Sequence, residues 1–258
     1  YEIRKFNLLE KQKYSWIPKN MWIPENLNFV PPHNHGFSLE IDYGNDEDNI
    51  VKTYLNLYTQ LIERSKVDTN NKILMDISCG YGRGTDFLRR RYNFSKVYGV
   101  DLMPFHIEVA KEKYPEVNFL TLDVRDLKYL NFKVDVVTSV ESLCYYQSDD
   151  KFYENLNCIL NDDGIALITC FIKIKNLTII TEKFKRYFNV IVDDITKQVT
   201  KGCYELYLQY NNVKTRYNLS EEDTYIYKKL LHENAAGFIK DASKKVIFAN
   251  FLLTKKNV

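Results

Sequence analysis

No stretch of this sequence runs apolar for the ~18 residues that a membrane-crossing helix needs. Stable membrane insertion is therefore not expected. An excess of one charge is missing too: 36 Lys+Arg stand against 34 Asp+Glu, a formal net charge of +2. That balance lacks the electrostatic footprint that dominates nucleic-acid affinity, so no nucleic-acid partner is expected. With 9 Gly and 6 Pro in 258 residues, repetitive linkers and fibrous repeats are excluded. The five cysteines are odd in number and contain no Cys-x-x-Cys pair, which argues against a disulfide framework or a zinc knuckle. The first residues, YEIRKFNLLEKQKYSW, carry charges where a signal peptide has its apolar core, so a cytoplasmic location is expected. What is present is 45% hydrophobic and 27% charged residues, the mixture of a packed globular chain. Tyrosine and phenylalanine are abundant, 20 and 15, from coding bias or from an apolar pocket.

Residues 1–48 hold Pro18, Pro24, Pro31 and Pro32 and the segment PPHNHG, and read as a looped lid. From Asn49 the apolar residues Ile50, Tyr54, Leu57, Tyr58, Leu61 and Ile62 recur at helical spacing behind Asp46-Glu47-Asp48. Five near-continuous apolar runs follow, at 72–77, 96–101, 117–123, 134–140 and 164–172, as strands covered on both faces require. Helical patterns lie between them at 85–91, 104–114 and 151–160. Such alternation predicts an α/β fold with a doubly wound, mostly parallel sheet of seven strands. A helix at 176–188 leads to strand 189–196, and 245–258 carries the last strand. The 197–244 stretch, rich in tyrosine, is longer than a hairpin needs and reads as a helical substrate cap inserted before that strand. The core would then span 49–196 plus the final strand.

The chemistry concentrates in ILMDISCGYGRGT (73–85), an apolar strand running through Asp76-Ile77-Ser78-Cys79-Gly80-Tyr81-Gly82 into a helix. Small residues there let a ligand approach the backbone, and helix-start amides bind oxygens. Asp101 ends the next strand, 25 residues later, where a carboxylate accepts both hydroxyls of a ribose. A nicotinamide enzyme would use the same acid, but would seat its pyrophosphate on Gly-x-Gly-x-x-Gly. An acid at position 76 suits an ammonium and repels a diphosphate. The third strand ends in Leu122-Asp123-Val124, placed to accept from an adenine amine.

This pattern resembles the class I S-adenosylmethionine-dependent methyltransferases over about residues 50–172, through the glycine motif, the two later acids and Asn161-Asp162-Asp163-Gly164. Ser78 stands where that family usually has glycine. VTSVESLCYY (137–146), DKFYENLNCILNDDG, DDIT-x-x-V (193–199) and HGFSLEIDYG (35–44) resemble the subgroup of phthiotriol and phenolphthiotriol O-methyltransferases and related small-molecule enzymes, with Leu143 where the subgroup often has histidine.

The resemblance implies S-adenosylmethionine as cofactor and S-adenosylhomocysteine as product. Asp76, Ser78, Cys79, Gly80 and Gly82 would surround the methionine part, Asp101 and Leu102 the ribose, and Asp123, Val124 and Val140 the adenine side. Glu141, just past strand four, is the candidate base, with His35 from the lid as a second candidate. Phe37, Tyr43, Leu143, Tyr145, Tyr146, Tyr204 and Tyr207 would line the acceptor. No metal is expected, because His33-x-His35 has no third ligand at a recognisable spacing. His106 is expected to be exposed, and Arg89-Arg90-Arg91 to form a solvated face. The implied reaction is O-methylation of a small or lipid-like molecule in natural-product or secondary metabolism. Methylation at carbon or at a small amine, and a catalytically silent binding domain, stand as alternatives.

Overall fold

The computed structural model describes residues 49–208 and 246–256. The expected lid, with His33, His35, Phe37 and Tyr43, lies outside the described residues, as do the cap beyond residue 208 and the Tyr207 side chain.

The described chain opens with helix α1 (Asn49–Ser65) and then alternates: β1 (Ile73–Ile77), α2 (Arg83–Arg91), β2 (Lys96–Asp101), α3 (Pro104–Lys113), β3 (Asn118–Thr121), β4 (Val134–Val140), α4 (Asp150–Ile159), β5 (Leu160–Lys173), α5 (Ile174–Lys185), β6 (Phe188–Asp194), α6 (Thr196–Leu208) and β7 (Val246–Lys255). Short 3-10 turns cover Val124–Tyr129 and Leu143–Tyr145. The seven strands form one sheet in the order β3-β2-β1-β4-β5-β7-β6. Strand β7 runs antiparallel to both its neighbours, and the other pairs are parallel. The expected doubly wound seven-stranded sheet is therefore present.

Two apolar layers explain why the strands are hydrophobic throughout. On one face Leu55, Leu57 and Leu61 of α1 pack with Leu74, Phe119, Val136 and Leu167. On the other, Phe152 and Leu156 of α4 and Phe184 of α5 pack with Met75, Val100, Val137 and Ile168. Each such side chain, fully buried, stabilises the fold by roughly 1.5–3 kcal/mol. Helix α1 also buries an amide: Gln60 Nε2 donates to Asn250 Oδ1 at 3.1 Å, and Asn250 Nδ2 returns a bond to Gln60 Oε1 at 2.6 Å. This reciprocal pair fixes α1 against β7, satisfying polar groups that would otherwise be costly to bury.

Element ends differ from the sequence expectation for local reasons. Strand β3 is shorter than 117–123, because Leu122 N already bonds Asp101 O and Asp123 caps the following turn through Arg125 N at 2.9 Å. Strand β6 stops at Asp194, whose Oδ1 accepts from Thr196 N at 2.9 Å and starts α6. Strand β5 begins at Leu160, four residues before Gly164, where Leu160 pairs with Val134 across a bulge.

Candidate cofactor and acceptor site

The parallel strands deliver their C-terminal ends to one rim of the sheet, which is where ligands bind in open α/β folds. Asp76 on β1 lies level with Gly99 on β2 and Thr138 on β4. After Ile77 the chain folds back tightly. Ser78 has φ 58°, Gly80 56° and Gly82 80°, all in the left-handed region. At Gly80 a Cβ would meet nothing within 4 Å, so the turn is open above this residue. Gly82 has no such freedom: a Cβ there would lie 2.4 Å from the Phe119 ring. Gly84 is needed for another contact, since its Cβ would fall 2.1 Å from the tip of the Tyr58 ring.

Three acids behave differently around this turn. Asp101 is nearly buried and gathers donors: Gly80 N reaches Oδ2 at 2.9 Å, Met103 N reaches Oδ1 at 2.9 Å, and His106 Nδ1 lies 3.1 Å from Oδ1. A carboxylate offers about four lone-pair sites, so capacity remains for a ligand hydroxyl. Asp76 is buried beneath the turn, with Thr85 Oγ1 donating to Oδ2 at 2.7 Å and Thr138 Oγ1 to Oδ1 at 2.8 Å. Burial pushes its pKa up to about 7, the two hydroxyls pulling the other way. Asp123 is held by the Arg125 guanidinium through Nε at 2.9 Å to both oxygens and by an Nη2 ion pair.

The remaining expected cofactor contacts lie on the same rim. Leu102 is half-buried directly after β2, Val124 is buried at the start of the 3-10 turn, and Val140 ends β4. Cys79 is buried in the turn, and burial followed by the nearby Asp101 and Asp76 raises its thiol well above the usual range. It is a neutral filler there.

Past β4, Glu141 adopts φ 55°, the second non-glycine left-handed residue on this rim after Ser78. Its N–H donates to Thr169 O of β5 at 2.7 Å, which fixes the backbone just where β4 ends. Such conformations cost about 1–3 kcal/mol and cluster at functional sites. Around it lie Tyr58, Cys144, Cys170 and Cys203, each of which feels the Glu141 carboxylate. Tyr58 is the residue that sequence reasoning missed. It read as one more apolar position of α1, yet burial and then Asp76, Cys79 and Glu141 hold its phenol protonated. Only the glycine at position 84, with a tyrosine one helix earlier, hinted at the contact.

Several expectations are corrected. His106 is not exposed; it is half-buried on Asp101 with its ring 4.6 Å from that of Tyr81. Leu143 is 0% exposed and belongs to the core, because the 3-10 turn after β4 tucks it inward. Tyr146 is buried, its hydroxyl 2.9 Å from Ser139 Oγ and 2.6 Å from Ser142 Oγ. Tyr145 beside it is exposed, as is Tyr204 on α6. Arg89 and Arg90 are not simply solvated: both bond the buried Asp86 through Nε at 2.9 Å. Among the described residues no group of three His, Cys, Asp or Glu is placed to hold a metal, and no helix is long and apolar enough to cross a membrane.

An open glycine turn thus lies between the buried Asp76 and the donor-gathering Asp101, on a sheet of order β3-β2-β1-β4-β5-β7-β6. Residues 75–168 match the family model described as a methyltransferase domain. Over 121 residues the chain is 27% identical to the phthiotriol/phenolphthiotriol dimycocerosates methyltransferase of Mycobacterium leprae, covering 46% of this chain and 43% of that protein. The chain thus matches less than half the length of these curated relatives. Among solved structures, the phosphoethanolamine N-methyltransferase 2 of Haemonchus contortus, in complex with S-adenosyl-L-methionine, superposes with TM-score 0.67 at 19% identity, covering 84% of this chain and 55% of that one. The cyclopropane synthase MmaA2 of Mycobacterium tuberculosis gives 0.65 at 14%, covering 81% and 87%. Geranyl diphosphate C-methyltransferase of Streptomyces coelicolor gives 0.58 at 12%, covering 87% and 88%. These structural likenesses establish the fold.

Proposed function

We propose that the protein transfers a methyl group from S-adenosylmethionine to an oxygen of a small or lipid-like acceptor. One observation carries the reading: Asp101 is anchored by Gly80 N at 2.9 Å directly beside the open surface of the turn, so that a ribose can meet the carboxylate while the rest of the cofactor crosses the turn. The residues fit the group in charge as well. Asp76 lies below the turn as the counter-charge for an ammonium, and Asp123 stands at the third strand end for an adenine amine. Ser78, Cys79, Gly80 and Gly82 would hold the methionine part, with Leu102, Val124 and Val140 around the nucleoside.

When bound, the cofactor supplies an electrophilic methyl on sulfur. What the chain must add is placement and dryness, since in-line displacement is governed by approach geometry and by exclusion of water. The apolar wall of Tyr58, Val140 and Cys79 provides the second. For an oxygen acceptor a proton must also leave, and Glu141, fixed at the end of β4, is the carboxylate placed to take it. His35, Phe37 and Tyr43 complete the proposal from the lid segment, and Tyr145, Tyr204 and Tyr207 from the acceptor side. Five free cysteines suit a reducing, cytoplasmic compartment.

Glu141 also supports a second reading, methylation at carbon, in which the same carboxylate stabilises a cation or accepts a carbon-bound proton. Calorimetric titration with S-adenosylhomocysteine tests the leading proposal. Tight binding that Asp101→Ala weakens severely is expected, and a wild-type protein that binds none would overturn it.

A further inference from the structure

Asp101 is held by donors from three different places. Its Oδ2 accepts from Gly80 N at 2.9 Å, while Oδ1 takes two donors, Met103 N at 2.9 Å and His106 Nδ1 at 3.1 Å. A carboxylate only accepts, so the imidazole donates from Nδ1. Of about four lone-pair sites on the two oxygens, Oδ1 has used both of its own and Oδ2 keeps one. That open site is on the oxygen tied to Gly80, the residue above which the turn is open.

His106 differs from the other two donors. Gly80 and Met103 give backbone amides, and Met103 lies only two residues from Asp101, whereas His106 reaches back from the first turn of α3. Its side chain is only 22% exposed, and its ring lies 4.6 Å from that of Tyr81, tilted by 58°. Tyr81 is itself buried, between Gly80 and Gly82 of the turn, and meets Phe105 edge-on at 6.3 Å. The imidazole is therefore steadied by the turn while its Nδ1 is aimed at the acid. One ring ties α3 to both parts of the surface on which a ribose would rest.

We infer that His106 is a positioning residue for the ribose acid: by filling Oδ1 and fixing the carboxylate plane, it leaves Oδ2 as the oxygen that accepts a ribose hydroxyl, and it acts through Asp101 without touching the ligand. The inference rests on the proposed reading of Asp101. It deepens that reading, since a ribose would meet one prepared acceptor and not a freely turning carboxylate.

Calorimetric titration with two ligands tests this: S-adenosylhomocysteine and its 2′,3′-dideoxy analogue, which has no ribose hydroxyl to offer. His106→Phe keeps a ring against Tyr81 and removes the donor. It should weaken S-adenosylhomocysteine by about 5-fold, a fraction of what a hydrogen bond to a charged group is worth, because two amides still hold Asp101. Binding of the dideoxy analogue should change less than about 2-fold. A merely structural histidine would weaken both ligands equally, and that result overturns the inference, as does unchanged binding of both. His106→Asn, which sets an amide N–H near the place of Nδ1 and has nothing at Nε2, should restore binding to within about 2-fold of wild type. Rescue by His106→Gln, which reaches the Nε2 position, and not by His106→Asn would mean that the ring touches the ligand itself, and likewise overturns the inference. A wild-type protein that binds no S-adenosylhomocysteine fails the cofactor reading first, so the two failures are distinguishable. Should His106→Phe not fold by circular dichroism, His106→Leu carries the same comparison.

Discussion

Strands β1 to β3 bring acids to the rim of the sheet, whereas β4 and β5 bring hydroxyls and thiols grouped round the single carboxylate of Glu141. In the proposed function the charged half would recognise a polar ligand of fixed structure, an ammonium, a ribose and an amine at successive strand ends. Its acids are already satisfied in the free protein, Asp101 by two backbone amides and Asp76 by two threonines. The neutral half has little to say about a ligand and much about geometry: Glu141 is strained and tied to Thr169, and Tyr146 is locked among serines. Under the proposed function, the contrast makes cofactor binding an electrostatic task and acceptor handling a steric one. The two should respond to different kinds of damage.

The largest effect is expected from Asp101→Ala. Losing a pair of charge-assisted hydrogen bonds should weaken S-adenosylhomocysteine by about 100-fold or more in calorimetry. Next comes Gly84→Ala, which breaks shape and leaves charge alone. Its Cβ would enter the Tyr58 ring, 2.1 Å from the nearest atom, and should cost about 1–3 kcal/mol, visible as a lowered Tm. Asp76→Asn separates the halves by pH. Burial raises the folded-state pKa of Asp76 to about 7, above the ~3.9 of an unfolded aspartate, so the folded protein binds the extra proton between these values. Wild-type stability should therefore fall as pH rises from about 4 through about 7, and Asp76→Asn should lack that component. Urea unfolding at pH 5 and pH 8 compares the slopes. The smallest effect belongs to Tyr145→Ala, an exposed side chain whose loss should change stability by under about 0.5 kcal/mol, in contrast to its buried neighbour Tyr146.

The same contrast explains what could be read from the sequence. Asp76, Asp101 and Asp123 were visible because each closes an apolar run, and strand ends in a doubly wound sheet converge on one rim. The pairing of the last two strands was also visible, and β6 and β7 are antiparallel partners. Tyr58 and His106 were missed or misread because their contacts are made by the three-dimensional path of the chain. Tyr58 meets Gly84 from a separate helix. A tyrosine's periodicity shows that it is buried, never whether its oxygen faces a ligand or a serine. The burial of Leu143 was hidden by the same limit, since a one-turn 3-10 segment decides which of its neighbouring residues points inward.

The place of β7 between β5 and β6 has a consequence for how the protein is made. During synthesis β5 and β6 emerge well before their common partner, which follows only after residues 195–245. Until then each presents an unpaired edge, β5 one that carries Leu167, Ile168 and Phe171, the sort of surface that recruits a strand from another chain. The sheet is completed only by its last-made strand, so yield in the cell should depend on how quickly residues 246–255 arrive and whether a chaperone covers that gap meanwhile.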